Sequence, residues 1–239
     1  MIFIRKKEFI LALTGLFLAI SLNQSRLTDK NFLPVTEPRQ IALTFDDGPH
    51  LFYTPQLLSI LQKEKVPATF FLVGTQIHNH PEITRQIIDY GHEVAIHTYN
   101  HRPLSELSNA EIILELERTR LLLKQTANYT SRLFRPPGGR YSRRVIEVAR
   151  IFGYTMILWD VFPKDHEENN PDVIIQRVLS QAKNNSVILL HSGRPATMAA
   201  LPTIIERLRR RGYTFVTVSQ LLNNPRKANL VWAFAPGKG

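Results

Sequence analysis

The chain has 239 residues, enough for one large α/β domain or two small ones. It has no cysteine, which excludes disulfides, thiolate metal sites and cysteine nucleophiles, so any metal must be held by His and carboxylate. A formal net charge of +10 favours an anionic partner such as an acidic envelope polymer or lipid head groups. No basic run interleaved with aromatics points to nucleic acid, and none is expected as a partner.

Residues 1–25 open with Arg5, Lys6 and Lys7, followed by the almost entirely apolar run Phe9 to Leu22. That run is short for a membrane span and suits the hydrophobic part of an export signal. Ala19-Ile20-Ser21 is only a rough cleavage site, so a retained N-terminal anchor stands as the alternative. Either reading places the protein outside the cytoplasm, in the periplasm, the envelope or the medium, touching a membrane only through this segment. Residues 26–39, with Pro34 and Pro38, read as a linker, 40–222 as the main folded domain, and 223–239 as a tail that packs across it or is mobile.

From Ile41 onward strands and helices alternate. Strands are expected at Ile41–Phe45, Ala68–Val73, Glu93–His97, Arg132–Arg135, Thr155–Trp159, Ser186–Leu190 and Thr214–Val218. Helices are expected at Tyr53–Lys65, Pro81–Tyr90, Ser108–Gln125, Ser142–Phe152, Asp172–Lys183 and Leu201–Arg211. Pro81 opens its helix and Gly91 stops it; Ser108 and Glu111 have the spacing of a capping box. Apolar runs without strict alternation fit strands buried on both faces, and about seven βα units argue for a parallel (β/α) barrel.

In such barrels the active site lies at the C-terminal ends of the strands. Polar residues gather there repeatedly. Asp46 and Asp47 end the first strand before Gly48-Pro49, and His97 ends the third, with His101 close behind. Arg135 ends the fourth, Trp159 and Asp160 the fifth with Asp165 just after, and His191 the sixth. Two adjacent carboxylates repel one another; a bound cation neutralises one and leaves the other for proton transfer. His97 and His101, four apart, join an Asp into a His₂-carboxylate site with open positions, the catalytic rather than the structural arrangement. Asp46 then serves as base, Arg135 holds it charged and oriented through a bidentate pair, and His191 serves as acid. A backbone N–H after Pro137 can join the metal in stabilising an oxyanion. His92 reads as a structural or surface histidine.

As a set these residues resemble the polysaccharide deacetylases, the NodB-homology carbohydrate esterases of family four, over roughly residues 39–222. Thr44–Pro49 reads TFDDGP, His97–His101 is H-T-x-x-H, Arg135-Pro136-Pro137 follows a strand, and Leu189-Leu190-His191 is L-x-H. The resemblance implies a deformed (β/α)₇ barrel and a divalent metal, zinc or a cobalt-like equivalent. It implies hydrolysis of acetyl groups from a polymer containing N-acetylglucosamine, peptidoglycan or chitin-like. An O-acetyl esterase on xylan-like glycan and a weakened, glycan-binding relative are the alternatives. Carried over, it makes Asp47, His97 and His101 metal ligands, Asp46 base, Arg135 its support and His191 acid. It makes Pro137, Gly138, Trp159 and Leu189 substrate contacts, the last two lining a pocket for the acetyl methyl. Two departures stand out. Gly138 replaces an aromatic residue, and Phe162-Pro163-Lys164-Asp165-His166 replaces Asp-x-x-Asp-Trp. With Phe162 in place of the first Asp, Asp160 is the expected substitute partner of His191. On that reading Asp160→Asn harms turnover more than Asp165→Asn.

Overall fold

The computed structural model describes residues 39–223 and 233–234. The expected signal or anchor segment, the linker up to Pro38 and most of the tail lie outside the described residues. Among the described residues, no helix is long and apolar enough to cross a membrane.

Strand β1 (Arg39–Asp46) is central and is buried throughout from Ile41 to Asp46. It pairs in parallel with β6 (Ser186–His191) on one side. On the other side β2 (Thr69–Leu72) takes its C-terminal half and β7 (Tyr213–Phe215) its first residues. The sheet continues from β2 through β3 (Glu93–Ile96), β4 (Leu133–Phe134) and β5 (Thr155–Ile157), all parallel. A parallel bridge between Val161 and Ile188 brings the chain after β5 onto β6. The result is the curled, deformed (β/α)₇ barrel that the sequence led us to expect. Part of the tail is fixed: β8 (Ala233–Phe234) adds antiparallel to β5.

Helices α1 (Tyr53–Glu64), α3 (Pro81–Asp89), α4 (Asn109–Ala127), α5 (Arg143–Ile151), α6 (Pro171–Gln181) and α7 (Pro195–Arg210) match the expected ones. The last starts six residues earlier than expected and runs through Pro202. The capping box at the start of α4 is formed, with Ser108 Oγ accepting from Glu111 N and Glu111 Oε2 from Ser108 N. Two short helices were not expected, α2 (Gly74–Asn79) and α8 (Val218–Asn223). The seventh strand therefore ends at Phe215 rather than Val218. The reason is a second box in which Thr217 Oγ1 accepts from Gln220 N and Gln220 Oε1 from Thr217 N, a pattern of helix starts.

Strand periodicity decides what enters the barrel. In β1, Ile41, Leu43 and Phe45 pack outward in the main core, whereas Ala42 packs inward with Phe71, Ala95, Ile157 and Val187. Successive side chains alternate, so Thr44 and Asp46 follow Ala42 into the barrel. The same parity takes Val187, Leu189 and His191 inward from β6. Register does the rest, because Asp46 and His191 are paired residues of neighbouring strands.

Candidate active site

Asp47 sits one residue beyond β1 with a left-handed backbone, φ 72°. Its Oδ1 lies 3.4 Å from His97 Nε2 and 3.2 Å from His101 Nε2. Two ligands about 2.0–2.1 Å from one tetrahedral ion lie about 3.3–3.4 Å apart, so this donor set fits a divalent cation. His97 Nδ1 is 2.8 Å from the carbonyl oxygen of Arg135, which fixes the proton there and leaves Nε2 as the donor atom for a metal. His97 is buried, while Asp47 and His101 are half-exposed, so the site opens on one side. Burial pushes the Asp47 carboxyl up, but hydrogen bonds to His101 and His97 outweigh it and hold the group well below the usual carboxylate range. The same contact with Asp47 raises the His101 imidazole.

The loop carrying the two histidines is strained, with Thr98 at φ 63° and His101 at φ 57°. Glu115 on α4 holds it. Its Oε2 accepts from Tyr99 N at 2.8 Å and Asn100 N at 2.7 Å, and its Oε1 from Asn100 Nδ2 at 2.8 Å. The start of α2 adds bonds from Gly74 N to Thr98 O and from Thr75 N to Tyr99 O, both 2.9 Å.

Arg135 is fully buried beneath the cavity. Its Nη1 donates to Asp46 Oδ1 at 2.7 Å and to Thr44 Oγ1 at 2.8 Å. Nε and Nη2 donate to the carbonyls of Ile157 and Leu158. The pair with Asp46 is therefore single-pronged rather than bidentate, because the rest of the guanidinium is spent on backbone carbonyls where β5 ends. Its plane also lies over Phe71, 4.0 Å from the ring centroid.

His191 Nδ1 lies 2.8 Å from Oδ1 of the fully buried Asp165, whose Oδ2 accepts from His191 N at 2.8 Å and from Thr197 Oγ1 at 2.6 Å. Burial lowers the imidazole, but the bond and charge of Asp165 win and leave it raised. The expected partner, Asp160, is elsewhere. Its oxygens accept from Val187 N and Ser186 Oγ at the opposite end of β6. Val161 is in register with Ile188, so Asp160 lies level with Val187 and only residues four or more beyond Asp160 reach the level of His191. Reading both residues on one extended strand missed this register.

A cavity of about 300 Å³ joins these groups, lined by Asp46, Asp47, His97, His101, Gly138, Trp159, Phe162, His166, Leu189 and His191. Pro137 is buried and does not line it. Gly138 has φ 61°, a conformation that favours glycine over the aromatic residue expected there. Among the described residues its N–H has no partner, while Gly139 N and Arg140 N turn back to Pro136 O and Pro137 O. A Cβ on Gly139 would lie 2.6 Å from the Trp159 ring, so the loop and this wall are in close contact.

Residues 34–157 match the family model described as "Polysaccharide deacetylase". The chain is 38% identical over 187 residues to a peptidoglycan-N-acetylglucosamine deacetylase of Bacillus cereus, covering 76% of this chain and 87% of the relative. The chain belongs to the polysaccharide deacetylase family. A chitooligosaccharide deacetylase of Bradyrhizobium sp. is 34% identical over 207 residues, covering 80% and 94%. The solved structure of the peptidoglycan deacetylase PdaC from Bacillus subtilis matches with a TM-score of 0.73 at 35% identity, over 78% of this chain and 91% of that one.

As a polysaccharide deacetylase the protein is a hydrolase, and nearly all of its expected site residues meet in this one cavity. Sequence reasoning missed Glu115 and Thr197, and named Phe162 and His166 only as departures from a motif, without placing them on the cavity wall. Glu115 carried a signal: it falls on the buried stripe of α4 with Ile112, Leu116, Thr119 and Leu123, where an unpaired charge would be costly. Thr197 carried none, since its role depends on how α7 meets Asp165.

Proposed function

We propose that this protein is a zinc-dependent deacetylase that hydrolyses the N-acetyl group of N-acetylglucosamine units in peptidoglycan or a chitin-like glycan, outside the cytoplasm. One observation carries the reading. A single cavity holds a three-donor cluster, an arginine-bonded carboxylate and a carboxylate-bonded histidine. Binding a sugar needs no such acid–base pair. The identities of the relatives support the substrate class, and the apolar stretch within residues 1–25 supports export.

Asp47, His97 and His101 would hold the metal. Bound there, zinc would supply Lewis acidity for the water and the amide carbonyl. Asp46, oriented by Arg135 and 3.7 Å from His97 Nε2, takes the proton from the attacking water. The Gly138 N–H donates to the developing oxyanion. Leu189 and Trp159 enclose the acetyl methyl. His191, kept protonated by Asp165, gives its proton to the leaving nitrogen as the C–N bond breaks, and acetate and the free amine result.

The test is acetate release by the full chain from N-acetylglucosamine oligomers and from peptidoglycan, metal-stripped and with zinc restored, beside Asp47→Ala. Zinc-dependent release that Asp47→Ala abolishes is expected. Release from acetylated xylan alone would move the substrate to an O-acetyl glycan, and no release from any of them with zinc bound would refute the hydrolase reading.

A further inference from the structure

A second set of metal-ligating groups shares no residue with the first: His166 and His191 line the cavity, and Asp165 is fully buried beside His191. Asp165, His166 and His191 each offer a donor atom, and these atoms lie within 4.8 Å of one another. His191 and Asp165 are already in contact at 2.8 Å. The His166 ring stands 5.1 Å from the His191 ring and stacks on Phe162 at 5.4 Å with 13° between planes, so its orientation is set. Its outer nitrogen, Nε2, is 3.1 Å from Glu167 Oε1. Its inner nitrogen, Nδ1, is shut off from solvent and meets no partner among the described residues. Its lone pair is therefore free to bond a ligand, and unlike the orphaned nitrogens of His92 it stands beside a second imidazole and a carboxylate. Two imidazoles and a carboxylate are a donor set suited to zinc.

We propose that Asp165, His166 and His191 form a second site for zinc, filled only when free metal exceeds what the first site takes, and that its occupation switches the enzyme off. The ion replaces the proton shared between His191 Nδ1 and Asp165 Oδ1, and that proton leaves to solvent. His191 is then a neutral, coordinated imidazole, a far weaker acid than imidazolium, and cannot protonate the leaving nitrogen. Two features make this site the weaker. It must displace an existing hydrogen bond, and Asp165 Oδ2 is already committed to His191 N and Thr197 Oγ1. The inhibition rests on the deacetylase reading above, whereas the binding does not.

The experiment titrates the full chain, loaded with one zinc, against buffered free zinc and reads bound metal by equilibrium dialysis and acetate release in parallel. The wild type is expected to take up a second zinc and to lose at least tenfold in rate over the same range. His166→Phe and His166→Gln should bind that ion at least about tenfold more weakly and keep their own maximal rate through it. A His78→Ala, His80→Ala double variant is expected to behave as wild type. Saturation of the wild type at one zinc would overturn the proposal. So would a second zinc retained in both His166 variants, or one lost in the His78/His80 variant. A second ion that depends on His166 in a chain with no deacetylase activity would uphold the site and refute the function instead.

Discussion

Asp165→Asn separates the two candidate partners of His191. The carboxylate is fully buried and shares a 2.8 Å charge-assisted bond with the ring. Such bonds contribute about 1.5–3 kcal/mol, all of it in favour of the imidazolium form. The raised His191 makes the acid competent below its folded pKa and lost as pH rises through it. Removing Asp165 therefore moves the falling limb of the kcat/KM profile toward acid. Above that limb the rate drops about 10–100-fold, which is the bond's ~1.5–3 kcal/mol expressed as a ratio of protonated fractions. Asn also turns an amide N–H₂ or a single oxygen toward groups that now share two. Asp160→Asn, which disturbs only Val187 N, Ser186 Oγ and the 3.6 Å contact with Lys183, should cost about 1 kcal/mol of stability and leave the profile in place. The assay is acetate release from N-acetylglucosamine oligomers across pH at low free zinc. Coincident profiles for wild type and Asp165→Asn, or a shift in Asp160→Asn instead, would sink the assignment.

Other consequences are equally direct. Glu115→Ala leaves Tyr99 N and Asn100 N without their acceptor and should weaken zinc affinity about 10–100-fold by chelator competition. Glu115→Gln, which keeps an oxygen for both, should restore most of it, and equal affinities in the two variants would remove Glu115 from the metal site. Arg135→Lys cannot replace four donations at once, and at about 1–3 kcal/mol for each abandoned buried acceptor should lower the urea midpoint markedly. An unchanged midpoint would show that those contacts are dispensable. His92 is buried at 6% exposure, with both ring nitrogens unpartnered, and burial lowers its pKa from 6.5 to about 4. Below pH 6.5 the unfolded chain takes a proton that the folded one refuses until about pH 4, so stability falls across that window by about 3 kcal/mol at most. His92→Phe should flatten the loss between pH 7 and 4.5 in urea melts; an identical slope would refute the attribution.

The parts of the site that were legible in the sequence are those that strands carry. A residue at a strand's C-terminal end lies at the mouth of a parallel barrel whatever the details, and alternation then decides whether it points inward. Asp46, Arg135 and His191 follow from those two rules, and His97 from its place one residue past β3. What could not be read depends on how non-neighbouring segments lie against each other. Asp165 rather than Asp160 faces His191 because Val161 pairs with Ile188, and no local pattern states that pairing. Glu115 serves the histidine loop because α4 crosses beneath it. The short helix α8 was legible and overlooked, since Thr217 and Gln220 carry the spacing of a helix start.

The two halves of the site are held by different means. Asp46, Arg135 and His191 stand on strands or at their ends, in register and nearly or fully buried, so their geometry is as stable as the barrel. The metal side is built on loops with Asp47, Thr98 and His101 in left-handed conformations. Such conformations cost about 1–3 kcal/mol each unless surroundings impose them. The imposing groups are few and identifiable: Glu115, the first turn of α2 and the Arg135 carbonyl on His97. Damage to these pins should therefore appear first as lost metal affinity in a protein that still folds. Damage to the Arg135 cluster should appear as lost stability together with lost activity. A bound cation would itself become one more pin, so metal affinity and the order of residues 98–101 are the same quantity seen from two sides.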